Sequence, residues 1–159
     1  MSDRPLLQAR KHYERPHVLI VADDPELATF LNEGLPLGGF WTTVISSGLQ
    51  VLEVFRLRQF DLIIMDYGLR SFNAEELMLR LRGNSSRVQE QAARTSAPVV
   101  VISERPIEIA PDMQRKMGIE RMLHAPIELD ELVPELHRVF EEWRANNPDM
   151  PMSDDPTRN

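Results

Sequence analysis

The sequence predicts an α/β domain: a parallel β-sheet with helices packed on both faces. Three observations predict it. The runs V-L-I-V at 18–21, L-I-I-M at 62–65 and P-V-V-V-I at 98–102 are short and continuously apolar, as strands buried on both faces must be. The stretches between them carry apolar residues at helical spacing. The 159 residues are 42% hydrophobic, enough for one domain with a true core and too apolar for wholesale disorder.

The chain is organised around Asp61–Leu69, D-L-I-I-M-D-Y-G-L. Leu62–Met65 reads as the central strand, and Asp66 stands where it ends. In open α/β sheets, ligands and chemistry collect at the carboxyl ends of strands. A carboxylate there can act as a nucleophile, a metal ligand or both, or it can simply cap the next turn.

Residues 1–16 are polar and are expected to form a flexible arm. Val18–Val21 is the first strand. Asp24 suits an N-cap and Pro25 the first helical position. The helix that follows is expected to bury Leu27, Phe30, Leu31 and Leu35, and to stop at Gly34, Pro36, Gly38 and Gly39. Phe40–Ile45 is aromatic and β-branched, which favours a second strand. After Ser46-Ser47-Gly48 a helix turns Val51, Leu52 and Phe55 inward. The central strand follows.

Ser71–Arg82 predicts a third helix with Leu77, Leu81 and Met78 inward. Residues 83–97 are polar, and either extend it or form a long connection. Pro98–Ile102 is the fourth strand, with proline at its first residue, where a missing N–H is tolerated. A fourth helix is expected over Pro111–Met117, ending at Gly118, and a weak fifth strand over Arg121–Leu123. The last helix is expected to start near Asp130, which puts Pro134 in its first turn. Its stripe is Leu132, Val133, Leu136, Val139, Phe140 and Trp143. Residues 146–159 hold three prolines and no core pattern, so a disordered tail is expected, leaving 17–145 as the folded domain. Too few residues follow the fifth helix for a second domain, and no fused DNA-binding module is expected.

The net charge of −7 argues against non-specific nucleic-acid binding. With no cysteine, disulfides, thiol catalysis and thiolate zinc sites are excluded. No apolar run is long enough to span a bilayer, and the amino terminus lacks a signal-peptide core. A cytoplasmic protein without a membrane partner is expected. The histidines at 12, 17, 124 and 137 show no metal-ligand spacing.

In a parallel sheet, Asp23, Asp66 and Ser103 share one rim, with Ala125 beyond the fifth strand. This ordered set, with V-x-D-D-P, M-D-x-x-L and A-P-I-E-x-D-E-L, resembles the receiver domain of two-component response regulators over about residues 17–145. The resemblance implies a flavodoxin-like, doubly wound sheet of five strands in the order 2-1-3-4-5. It implies Asp66 as phosphoacceptor, and Asp23, Asp66 and the Gly68 carbonyl as the Mg²⁺ shell. Ser103 falls on the switch hydroxyl and Met122 on the aromatic switch position. A carboxylate meets a phosphoryl dianion only where a cation offsets the charge, and Mg²⁺ does so with few protein ligands.

Several positions depart from the family. Ala22 replaces the first acidic residue, Ala125 the lysine, and Glu104 the small residue after the switch hydroxyl. Arg70 stands where the family has a proline after the phosphoacceptor. A lost unit charge at about 4 Å is worth roughly 4 kcal/mol at an effective dielectric near 20. The expectation is therefore a degenerate receiver, not an enzyme, that acts in phosphorelay signalling through protein contacts. A histidine kinase, another regulator or a second copy are the expected partners, through the face of the fourth helix, fifth strand and fifth helix. That region holds Met113, Met117 and Met122; methionine adapts to varied partners, but at these spacings it is more often core filler.

Alternatives stay open at each position. Asp66 and Ser103 have structural readings, a loop hydrogen bond and a strand end. Arg105 or Arg70 either replaces the lost lysine or is a solvated surface arginine. His124 is offset by one residue from Ala125, so it points the opposite way along a strand. Glu104 either fills part of the phosphoryl site or faces solvent. Two rival functions remain: a working Mg²⁺-dependent phosphoacceptor, and a flavodoxin-like cofactor binder or small α/β enzyme. The A-D-D-P loop lacks the glycines or hydroxyls that cradle phosphate, and no nucleophile-elbow signature is visible.

Overall fold

The computed structural model describes residues 15–68, 73–83 and 93–150. The described elements alternate: β1 (His17–Val21), α1 (Pro25–Gly34), a 3₁₀ turn (Leu35–Gly38), β2 (Trp41–Ile45), α2 (Gly48–Leu57), β3 (Leu62–Asp66), α3 (Ala74–Leu81), β4 (Val99–Ser103), α4 (Pro111–Met117), β5 (Ile119–His124) and α5 (Leu129–Asn146). The five strands form one sheet in the order β2-β1-β3-β4-β5, every pairing parallel.

The continuous apolar runs have the expected cause. Alternate residues of each strand enter opposite cores. Leu19, Val21, Ile63, Met65, Val99 and Val101 face Val51 and Phe55 of α2, Leu77, Met78 and Leu81 of α3, and Met117 of α4. Val18, Ile20, Leu62, Ile64, Val100 and Ile102 face Leu31 of α1, Leu35, Phe40, and Leu132, Leu136 and Val139 of α5. Neither face of β1, β3 or β4 could carry a polar residue without burying it.

Side chains place the helix starts. Asp24, Ser47 and Asn73 accept from the backbone N–H of Glu26, Gln50 and Glu76, which satisfies donors that have no partner within a helix. Every helix then begins at the carboxyl rim of the sheet, as crossovers between parallel strands require.

Some expectations need correction. Phe30 is 37% exposed. The buried stripe of α1 runs through Leu31 and Gly34, and Phe30 lies to one side of it. Pro134 lies in the second turn of α5, because the helix starts at Leu129, and its ring nitrogen cannot donate back to the fourth residue before it. The fifth strand is longer than expected, from Ile119 to His124. At the end of the expected arm, most of which lies outside the described residues, the Arg15 guanidinium lies 4.6 Å from the Trp41 ring centre and donates to the Pro36 carbonyl. The turn after α5 folds back, with Arg144 donating to the Met150 carbonyl at 3.1 Å. The third helix ends at Leu81, and most of the 83–97 connection lies outside the described residues.

Glycines 34 and 38 do more than end α1. A Cβ on Gly34 would sit 2.5 Å from Leu129 Cδ1, and one on Gly38 would sit 2.7 Å from both Val133 methyls. The bare backbone lets α5 close against the α1 end. Across the sheet, Arg82 donates to the Met117 and Thr95 carbonyls at 3.3 and 3.1 Å and to that of Ala97. It lies over Gly118, the left-handed residue that ends α4 (φ +74°). Burial lowers its pKa to about 10, against the pull of Glu120.

Three substitutions test these contacts. Gly38→Ala is expected to cost about 1–3 kcal/mol in urea unfolding, because Val133 is β-branched and cannot swing away. Gly34→Ala is expected to be near neutral, because the Leu129 tip can rotate and alanine favours the helix by up to ~1 kcal/mol. Arg82→Met is expected to cost roughly 2–4 kcal/mol by leaving carbonyls of two segments without their donor.

Candidate functional site

The carboxyl ends of β1, β3 and β4 open onto a cleft of about 700 Å³, lined by Asp23, Asp24, Pro25, Asp66, Tyr67, Gly68, Ser103, Glu104, Arg105 and Ile107. Strand register builds it. Val21 pairs with Met65, and Asp66 pairs with Ile102, so Asp23 and Ser103 leave their strands on either side of Asp66. A second concavity of about 370 Å³ lies between the starts of α2 and α3, lined mainly by Leu49, Leu52, Leu77, Glu76 and Arg80.

Asp66 is half-buried at the strand end. Its Oδ1 accepts from the Gly68 N–H at 2.9 Å, closing a tight turn over Tyr67. Burial raises its pKa. The Gly68 hydrogen bond opposes that rise, and the negative charges of Asp23, Asp24 and Glu104 add to it. Four carboxylates therefore share one rim. Arg105 is the one cation among the described lining residues, and it forms no ion pair with Glu104.

Ser103 is buried, and its hydroxyl is spent within its own loop. Oγ donates to the Arg105 carbonyl at 2.6 Å and accepts from the Arg105 N–H at 3.2 Å. The Ala125 N–H donates to the Ser103 carbonyl at 2.8 Å, holding the end of β5 beside the end of β4. Ala22, Met122 and Ala125 pack into the two cores instead of lining the cleft. His124 is exposed at the end of β5. Arg70 lies outside the described residues.

The sequence reading gave no role to two residues here. Tyr67 donates its hydroxyl to Glu75 Oε1 at 2.5 Å, and its N–H donates to the Ile102 carbonyl at 2.9 Å. Burial and then the Glu75 contact raise its phenol pKa. The available signal was an aromatic hydroxyl beside the rim aspartate, eight residues before an acid in a first helical turn. Asp24 was legible only as a cap, although its charge also reaches Asp66.

Among the described residues, no three His, Asp or Glu side chains converge as metal ligands. No described helix is long and apolar enough to cross a membrane.

No protein-family model matches the chain. It is 28% identical over 137 residues, 86% of its length, to the sensory transduction protein RegX3 of Mycobacterium tuberculosis. It is 29% identical over 119 residues, 75% of its length, to the DNA-binding response regulator MtrA of Mycolicibacterium smegmatis. The chain spans about half of each relative, 55% and 48%. The receiver domain of a Pseudomonas aeruginosa sensor histidine kinase, solved with magnesium in its cleft, superposes with a TM-score of 0.64 at 21% identity, covering 79% of this chain and 98% of that one. The chain's relatives in sequence are response regulators, and its neighbours in structure are receiver domains. The flavodoxin-like fold and its strand order are those of a receiver. Of the positions named for the resemblance, 23 and 66 carry carboxylates, and 22 and 125 carry alanine.

The electrostatics of the rim set a stability test. A carboxyl whose folded pKa is raised destabilises the fold once ionised, so stability falls as pH rises through that pKa. Asp66→Asn is expected to raise the unfolding midpoint at pH 7, by about 1 kcal/mol or less. The gain should shrink as pH falls toward 4 and the wild-type carboxyl takes up its proton. Thermal melts across that range check it.

Proposed function

We propose that this receiver signals chiefly through protein contacts, with weak or no phosphorylation of Asp66. The observation that supports this is the imbalance of charge at the cleft: Asp23, Asp24 and Glu104 all act on Asp66, while position 125 offers a methyl group. A phosphoryl dianion arriving there meets a carboxylate already crowded by negative charge. Loss of a cation near the transferred oxygens removes the electrostatic stabilisation on which phosphoryl transfer depends.

The residues present do fit Mg²⁺. This ion takes one or two carboxylates and completes its shell with water and phosphate oxygens. The Asp23 and Asp66 carboxylates and the Gly68 carbonyl would hold it, and the repulsion that burdens Asp66 would favour its entry. When bound, the ion offsets negative charge on an incoming phosphoryl group. Asp66 would supply the attacking oxygen. The Gly68 N–H holds one of its oxygens, Oδ1, within the turn. Ser103 would have to release the Arg105 backbone before its hydroxyl could donate into the cleft.

The rival reading is a working phosphoacceptor served by a histidine kinase, and the retained pair Asp23 and Asp66 favours it. A flavodoxin-like cofactor binder or small α/β enzyme has less support: no described nucleophile is paired with a base in the cleft. The partners we propose are a kinase, another regulator or a second copy, on the face formed by α4, β5 and α5. There Arg121 of β5 pairs with Glu135 and Glu142 of α5 at 2.8 and 2.9 Å, and these bonds raise its pKa. The ion pairs present an ordered polar surface for recognition. We place the folded unit at residues 17–145.

Incubation with Mg²⁺ and a small acyl phosphate, read by intact mass, is expected to give little or none of the adduct of about 80 Da that marks one phosphoryl group. Ala125→Lys is expected to raise that adduct at least tenfold, the equivalent of about 1.4 kcal/mol. A near-complete wild-type adduct abolished by Asp66→Asn would overturn the proposal.

A further inference from the structure

We propose that Tyr67 and Glu75 form a tie that couples the state of the Asp66 carboxylate to the position of α3. The connection is continuous. The Asp66 carboxylate holds the Gly68 N–H at 2.9 Å, and that turn encloses Tyr67. The Tyr67 backbone is fixed on the other side by its bond to Ile102 of β4. With both flanks set, the ring has a defined direction, and its hydroxyl meets Glu75 Oε1 at 2.5 Å in the first turn of α3. A hydroxyl–carboxylate bond of that length is charge-assisted and among the stronger side-chain bonds. It spans the connection between β3 and α3.

Any group that engages the Asp66 carboxylate competes with the Gly68 amide. Weakening the turn re-aims the Tyr67 ring. Because the phenol is bound to Glu75, the change is carried into α3 instead of ending at the loop. Among the described residues, the opposite side of the cleft has no equivalent route in its side-chain bonds. The Ser103 hydroxyl is satisfied by the Arg105 backbone, and Met122 offers no hydrogen-bonding hydrogen. Its thioether packs with Val101 and Met117 in the core on the α2–α4 face.

Tyr67 is a positioning residue in this scheme and needs no contact with a ligand. The proposal rests on the place of Asp66 in the cleft, and not on whether Asp66 accepts a phosphoryl group. Its test uses no phosphodonor and no metal, so it can fail or succeed independently of the functional reading above.

The experiment is a coupling cycle read by amide chemical shifts of the full chain. Asp66→Asn alone is expected to move the amide signals of residues 74–81. In a Tyr67→Phe background, which keeps the ring and removes the hydroxyl, the same substitution should leave those signals in place. Glu75→Ala, which breaks the tie from the helix side, should give the same loss and serves if Tyr67→Phe folds poorly. Equal α3 shifts with and without the tie would overturn the proposal, and so would an Asp66→Asn variant whose α3 signals do not move.

Discussion

Four carboxylates meet at the carboxyl end of this sheet, and the nearest position where a receiver would place a lysine holds Ala125. The crowding follows from the architecture. Parallel strands end together, so whatever follows β1, β3 and β4 is brought to one rim whether or not the charges agree. Burial and the negative neighbours both raise the Asp66 pKa. One backbone amide, that of Gly68, pulls the other way. The charge that any ligand meets in the cleft is set by that balance.

Other acidic residues stand at helix starts. Glu26, Glu75, Glu76, Asp112, Asp130 and Glu131 occupy first turns, where the helix dipole and free amides favour negative charge. Arg56, Arg80, Arg115, Lys116 and Arg144 occupy last turns. The domain is thus polarised along its strands. A negative rim that suits each helix separately becomes a surplus where the helices converge on Asp66.

Rigidity is distributed unevenly about the cleft. Arg82 holds α4 and the approach to β4 through backbone carbonyls, and α5 closes on α1 through Gly34 and Gly38. The loop after β4 is held by Ser103. Between β3 and α3, by contrast, the described cross-link is a single side-chain bond from Tyr67 to Glu75. A change at Asp66 is adjacent to that bond through Tyr67.

Much of the fold was legible in the residues. Continuous apolar runs at 18–21, 62–65 and 98–102 read as strands wet on neither face, and the cap at Asp24 marked the first helix start. The rim residues Asp23, Asp66 and Ser103 followed from strand ends. Phe30 and Pro134 were misplaced because a one-residue shift in a helix start, or a rotation of its buried face, leaves the apolar periodicity almost unchanged. Periodicity and termini are local properties, so sequence alone determined the elements, the sheet and the missing charges at 22 and 125. The direction of the Ser103 hydroxyl, the reach of Tyr67 to Glu75, the seat of Arg82 on Gly118 and the sum of charges on Asp66 depend on which distant backbones come within hydrogen-bond range. Only the tertiary structure decided those, because a hydrogen bond or a Coulomb term acts through distances in space that separation along the chain does not encode.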